Sequence, residues 1–331
     1  MLQKSAQEER VVRRSPDKTN GRQGGIGPLC ALAGIILLIA AAGCTGQEGS
    51  TADNGTKPMT VAVTILPQKQ FVESIAGEHA RIVVLVPPGA SPHTHEPTAR
   101  QLEEISSAAV YVKVGSGIDV ERAWMDKLMG VNPRMTIIDS SAGIPLIAGT
   151  HTHDHDDADD EAFGTTDTEG TDPHIWLSPA NARIMVENTC RGLIEADPVH
   201  TAEYRANADA YQKKIDTLDA EIRQEIADKK VRTIMVYHPA WSYFARDYNL
   251  VQVPIETNGK DPSPAGLEQL IRQAKDEKIT VIFASPESSS KSAAVIAEEI
   301  GGSVVLVSGL EEDYIGNLAK VSQAFARGGS T

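Results

Sequence analysis

Cysteine is nearly absent, with three in 331 residues at Cys30, Cys44 and Cys190. The first two fall in or at the end of an N-terminal apolar stretch, so Cys190 alone is left for the folded part and an internal disulfide is excluded. It sits among Ile184, Met185, Val186, Leu193 and Ile194, which reads as a buried, inert thiol. Positive charge is also scarce: 31 Lys and Arg stand against 45 Asp and Glu, a formal net charge of -14 at pH 7. Phosphate neutralisation needs basic patches, so no nucleic-acid partner is expected. No His-Glu-x-x-His pattern and no Gly-x-Ser-x-Gly turn occur, which speaks against the commoner hydrolases.

The one long apolar run covers residues 26–42 and follows a basic region ending at Arg22. It closes on Ala41-Ala42-Gly43-Cys44, small residues before a cysteine that resemble a lipobox. The expectation is a signal peptide over residues 1–43 and a lipidated, flexible linker over 44–57 beginning at Cys44. Ala41, where a lipobox usually has Leu, leaves an uncleaved signal anchor open, since the run nears the roughly 17–25 residues that span a bilayer. Either way the globular part lies outside the cytoplasm and is attached to a membrane.

With 41% hydrophobic residues the remainder is long enough for two lobes. Short β-rich runs at 61–65, 82–86, 110–114 and 136–138 alternate with amphipathic stretches at 69–76, 99–107 and 119–128. The pattern returns at 233–237, 250–255, 279–284 and 303–308, separated by helical stretches at 265–276 and 288–300. This repetition predicts an α/β fold of two like-built lobes, each a parallel sheet flanked by helices. The boundaries read as an N-terminal lobe over 58–178, a helical connector over 179–230 and a C-terminal lobe over 231–331. In the connector, Tyr204, Ala208, Tyr211, Ile215, Leu218 and Ile222 recur at three- and four-residue spacing, the stripe of a helix packed against both lobes.

Histidines supply the chemistry. His93 follows the break Pro87-Pro88-Gly89 after a strand, His174 precedes a long helical segment, and His238 directly follows a strand. Neutral imidazoles are the commonest protein ligands of zinc, and strand ends are where open α/β sheets place ligands. Within the acidic stretch 149–172, His151, His153 and His155 alternate with carboxylates. Too apolar-poor to order itself, the stretch reads as a mobile loop with several weak metal sites, or as a solvated charged loop with no metal role. His95 is expected at the rim of the site, and His79 and His200 in exposed positions. Trp176, Trp241 and Tyr243 are expected to pack around a cleft and keep it dry.

The segments Val61-Ala62-Val63-Thr64-Ile65-Leu66-Pro67, Pro92-His93-Thr94-His95-Glu96-Pro97-Thr98, Asp172-Pro173-His174-Ile175-Trp176-Leu177 and Tyr237-His238-Pro239 occur in this order. They continue through 255–264, Pro286-Glu287-Ser288-Ser289-Ser290-Lys291 and Glu312-Asp313-Tyr314. In this sequence and order they resemble the metal-binding lipoproteins of zinc and manganese ABC importers, the cluster A-I solute-binding proteins, over nearly all of the chain beyond residue 58. The resemblance implies one long, rigid backbone helix between the lobes, little hinge closure, a metal cleft between the lobes, a permease and its ATPase as partners, and a monomer.

It also implies a metal. The third ligand position is often Glu in manganese binders and His in zinc binders, and here it is His238. Zn2+ is therefore expected on His93, His174 and His238, with Mn2+ less favoured. Relatives place an Asp after the final strand where this chain has Ser308, a neutral hydroxyl and a poor zinc ligand. The fourth corner is then expected to hold water, with Glu96 as the acid that positions it or orients an imidazole, and Glu256 and Glu287 as structural or cleft-edge acids. Two other readings of the same residues are an adhesin-like surface lipoprotein and a zinc hydrolase using Glu96 as base.

Overall fold

The computed structural model describes residues 57–149, 170–288 and 291–328. Cys44 with its signal segment, and His151, His153 and His155, lie outside the described residues.

The first lobe is built from β1 (Met59–Val63), α1 (Leu66–Ala76), β2 (Ala80–Val84), α2 (Ala99–Ser106), β3 (Val110–Lys113), α3 (Asp119–Val131) and β4 (Thr136–Asp139). Its strands are rich in valine and isoleucine, whose branched side chains fit a pleated surface packed on both faces. All pair in parallel, in the order β2-β1-β3-β4. The second lobe repeats the plan with β5 (Thr233–Val236), α6 (Ser242–Asp247), β6 (Val251–Pro254), α7 (Pro264–Asp276), β7 (Val281–Ala284), α8 (Lys291–Glu299) and β8 (Ser303–Leu306). Its order, β6-β5-β7-β8, is the same: the first strand lies inside and the second outside. In such sheets the crevice beyond the strand ends beside the central strands is the natural ligand position.

Between the lobes run α4 (Pro179–Ala196) and α5 (Thr201–Ala227), with α9 (Tyr314–Arg327) returning from the second lobe. Pro198 breaks the connector because it lacks the N–H that a continuing helix needs, and residues Pro198–His200 form a 3-10 turn instead. Ser178 caps α4 by accepting the Asn181 N–H at 3.0 Å. The buried stripe of α5 is Tyr204, Ala208, Tyr211, Ile215, Leu218, Ile222 and Ile226, and it packs on α1, α4 and α9. Ile215, Leu218 and Ile222 are sealed from water, each contributing about 1.5–3 kcal/mol. The sequence periodicity does not pick out the amphipathic helix α9, whose apolar face supplies Leu318, Val321 and Phe325. One core cluster runs from β1 and β3 through α5 to Phe244, Phe283 and Phe325, so the lobes share it. A smaller cluster around Met235, Ile282 and Ile296 belongs to the second lobe alone.

Candidate metal centre

His93, His174 and His238 come together from three separate parts of the chain, and among the described residues they form the one group of side chains spaced to hold a metal ion. The Nε2 atom of His174 lies 3.1 Å from Nε2 of His93 and 3.2 Å from Nε2 of His238. Nitrogens bound to one tetrahedral zinc at about 2.1 Å sit roughly 3.4 Å apart, so the arrangement nearly has the spacing the ion requires.

What turns each ring is a carboxylate on its other nitrogen. His93 Nδ1 lies 2.7 Å from Asp119, His174 Nδ1 2.8 Å from Asp172, and His238 Nδ1 2.5 Å from Glu256. An Nδ1–H donated to a carboxylate leaves the Nε2 lone pair facing inward and makes it a better donor to a metal.

Local folding places each pair. Asp119 opens α3, and the next N–H, that of Val120, bonds Pro92 O at 3.1 Å, tying the helix start beside His93. That start is itself anchored by buried Glu121, which accepts Val114 N–H at 2.6 Å, Gly115 N–H at 3.0 Å and the Thr64 hydroxyl. Burial pushes the Glu121 carboxyl up from its usual value, against the pull of those donors. Gly115 takes φ +84°, and a Cβ there would meet Asp139 Oδ1 at 2.1 Å. On the other lobe, Ile255 N–H to Val236 O and Glu256 N–H to Tyr237 O extend the pairing of β5 and β6 just far enough to set Glu256 beneath His238.

His174 is the most enclosed of the three, with 4% of its side chain exposed against 22% for His93 and 20% for His238. Burial pushes its pKa down to about 4, and the neighbouring His93 and His238 add to the fall while Asp172 opposes it. The ring is therefore neutral near pH 7, the form that binds metal. Asp172 is held below its usual value: burial raises it, but attraction to the His174 ring, which is charged only in the acid range where the carboxyl titrates, and hydrogen bonds from that ring, its backbone and Ser242 outweigh this. Tyr243 donates its hydroxyl to Asp172 O at 2.9 Å and accepts Ile147 N–H at 3.0 Å, holding these two loop segments from the second lobe.

The cleft around the rings encloses about 570 Å³ and is lined by Trp176 and Trp241 among others. Tyr243 is buried and does not line it. The structure does not bring Glu96 to the histidines: it is exposed and off the cleft wall, and the acid on His93 is Asp119. Ser308 is buried and off the wall as well, its hydroxyl bonded to Glu287 at 2.7 Å. His95 does not join the group. His79 and His200, expected exposed, are half-buried and stacked with ring centroids 3.8 Å apart at the turn between α4 and α5. Cys190 is buried, and burial raises its pKa to about 11. The Asp119 and Glu256 pairings were invisible in the sequence because 26 and 18 residues separate the partners; Asp172, two residues from His174, was open to a local reading.

The profile of the family described as zinc-uptake complex component A, periplasmic (ZnuA), matches residues 61–328. The high-affinity zinc uptake system protein ZnuA of Bacillus subtilis is 30% identical over 285 residues, which is 86% of this chain and 88% of that protein. A crystal structure of ZnuA superimposes with a TM-score of 0.75 at 38% identity, covering 82% of this chain and all of the other. The crystal structure of a ZnuA deletion mutant with zinc bound gives a TM-score of 0.74, also at 38% identity, covering 83% and 99%.

Proposed function

Because the chain belongs to the periplasmic zinc-uptake component family ZnuA, we propose that it is the extracytoplasmic zinc-binding component of an ABC importer, taking up one zinc ion on His93, His174 and His238 and passing it to a permease driven by an ATPase. The observation that carries this reading is the convergence of three Nε2 atoms whose rings are each fixed by a carboxylate. Three imidazoles and no carboxylate in the ligand group favour zinc over manganese, which prefers oxygen. No hydrolytic role is assigned, since Glu96 is exposed and off the cleft wall.

The finer parts of the reading rest on the sequence. The lobes divide at 58–178, 179–230 and 231–331; the chain works as a monomer; and His151, His153 and His155 add weaker metal equivalents. Cys44 carries the lipid, and Cys44→Ser is expected to leave an unprocessed precursor in cell fractions; normal processing would refute it.

The deciding experiment is metal analysis of protein purified without added metal, followed by competition titration with zinc and manganese. One zinc per chain, held more tightly than manganese, is expected. Preference for manganese, or no bound zinc, would overturn the reading.

A further inference from the structure

Three imidazoles leave a tetrahedral ion one corner short. No carboxylate oxygen joins their nitrogens in the group spaced to share an ion, among the described residues. Water completes such sites, and a water acidified by zinc needs a fixed acceptor for its protons.

Most nearby acids are already committed. Asp119, Asp172 and Glu256 each face an imidazole Nδ1. Glu121 is buried and bonded to Val114, Gly115 and Thr64. Glu96 is exposed and off the wall. Glu287 is different: it is half-buried, lines the cleft, and faces no histidine. Two hydroxyls hold it, Ser308 donating to Oε1 at 2.7 Å and Ser285 donating to Oε2. Ser308 Oγ in turn accepts Leu310 N–H at 3.1 Å, so its single proton is directed to the glutamate. A carboxylate has about four acceptor positions, and two serine donors leave room for a water.

We propose that Glu287 is the acceptor that holds the water at the fourth corner of the metal site, with Ser285 and Ser308 positioning it. The proposal rests on the three-histidine reading above. It gives Ser308 a role as well: its hydroxyl steadies the carboxylate that steadies the water. A corner closed by a held water keeps the site tetrahedral and exchangeable, and withholds from manganese a carboxylate ligand.

The test uses the full chain loaded with zinc and measures zinc release into excess chelator for Glu287→Gln, Ser308→Ala and the double variant, with the melting temperature of each metal-free protein alongside. Glu287→Gln is expected to release zinc about tenfold faster at an unchanged melting temperature. Ser308→Ala moves release the same way, and the double variant is no faster than Glu287→Gln alone, because both changes act through one carboxylate. A Glu287→Gln release rate within about twofold of the parent overturns the proposal, as does a melting temperature that falls while release stays the same. Rates that multiply in the double variant overturn the positioning by Ser308. A His174→Ala chain that holds zinc as tightly as the parent refutes the three-histidine site itself, which separates the two failures.

Discussion

A metal-binding imidazole needs its lone pair free and its ring held, and the three carboxylate pairings meet both needs with different degrees of enclosure. His174 is the member that shares its Nε2 environment with both others at 3.1 and 3.2 Å, and it is the most buried. Its removal should therefore cost more than loosening it. His174→Ala is expected to abolish tight zinc binding in a competition titration, while Asp172→Asn, which keeps an acceptor oxygen but loses the charge, should weaken it about 10- to 100-fold. An Asp172→Asn affinity equal to the parent's would show that the carboxylate contributes nothing to the ring. At this scale the sequence discloses donor atoms better than their supports. His93, His174 and His238 each stand in a distinctive local context, and Asp172 lies within two residues of its partner. Asp119 and Glu256 reach theirs only because α3 starts beside Pro92 and β6 runs on past β5, which are tertiary facts. Glu96 is nearer to His93 along the chain than Asp119 is, yet the fold sets Asp119 on the ring.

Elements were legible where one period dominated a long segment. The α5 stripe from Tyr204 to Ile222 was readable from spacing and is buried throughout, and the β-rich runs became the strands of two parallel sheets. Helix α9 is not among the stretches that periodicity picks out, and its apolar residues pack toward α5 at the boundary between the lobes. The seam between these two helices holds a buried lysine. Lys229, just beyond α5, donates to Gly328 O at the end of α9. Burial, helped by Arg232, pushes its pKa down to about 8 from 10.5. The folded chain therefore releases this proton near pH 8 while the unfolded chain keeps it to 10.5, so the unfolded state binds more protons in between and stability from this group rises with pH. Lys229→Met removes that term. The melting temperature of the parent minus that of the variant is expected to increase by a few degrees between about pH 7.5 and pH 10, and a difference that stays flat would refute it.

The whole molecule couples its lobes through more than one helix. Trp176 Nε1 donates to Gly309 O at 2.7 Å, and Tyr314 donates its hydroxyl back to Trp176 O at 2.8 Å. Gln70 of the first lobe accepts from Tyr211 of α5 at 2.8 Å and from the Tyr314 N–H at 3.0 Å, while Phe71 meets the Tyr314 ring edge-on at 5.0 Å. Lys69 adds an ion pair to Glu312, and Tyr243 reaches across to Asp172. Opening the cleft as a hinge would break these bonds together and split the shared core, at about 0.5–1.5 kcal/mol for each hydrogen bond before the lost burial is counted. Two of the bonds flank His174 itself, through Trp176 and Asp172, so the metal site sits on the seam and not on a lid. Zinc should then enter and leave by side-chain and short-loop motion. The expected outcome is a radius of gyration, by small-angle scattering, that is unchanged within error when zinc is added to the metal-free chain, together with faster zinc release in Trp176→Phe, which loses the N–H to Gly309. A fall of about 1 Å or more on adding zinc to the parent would instead mean that the lobes close as hinged domains.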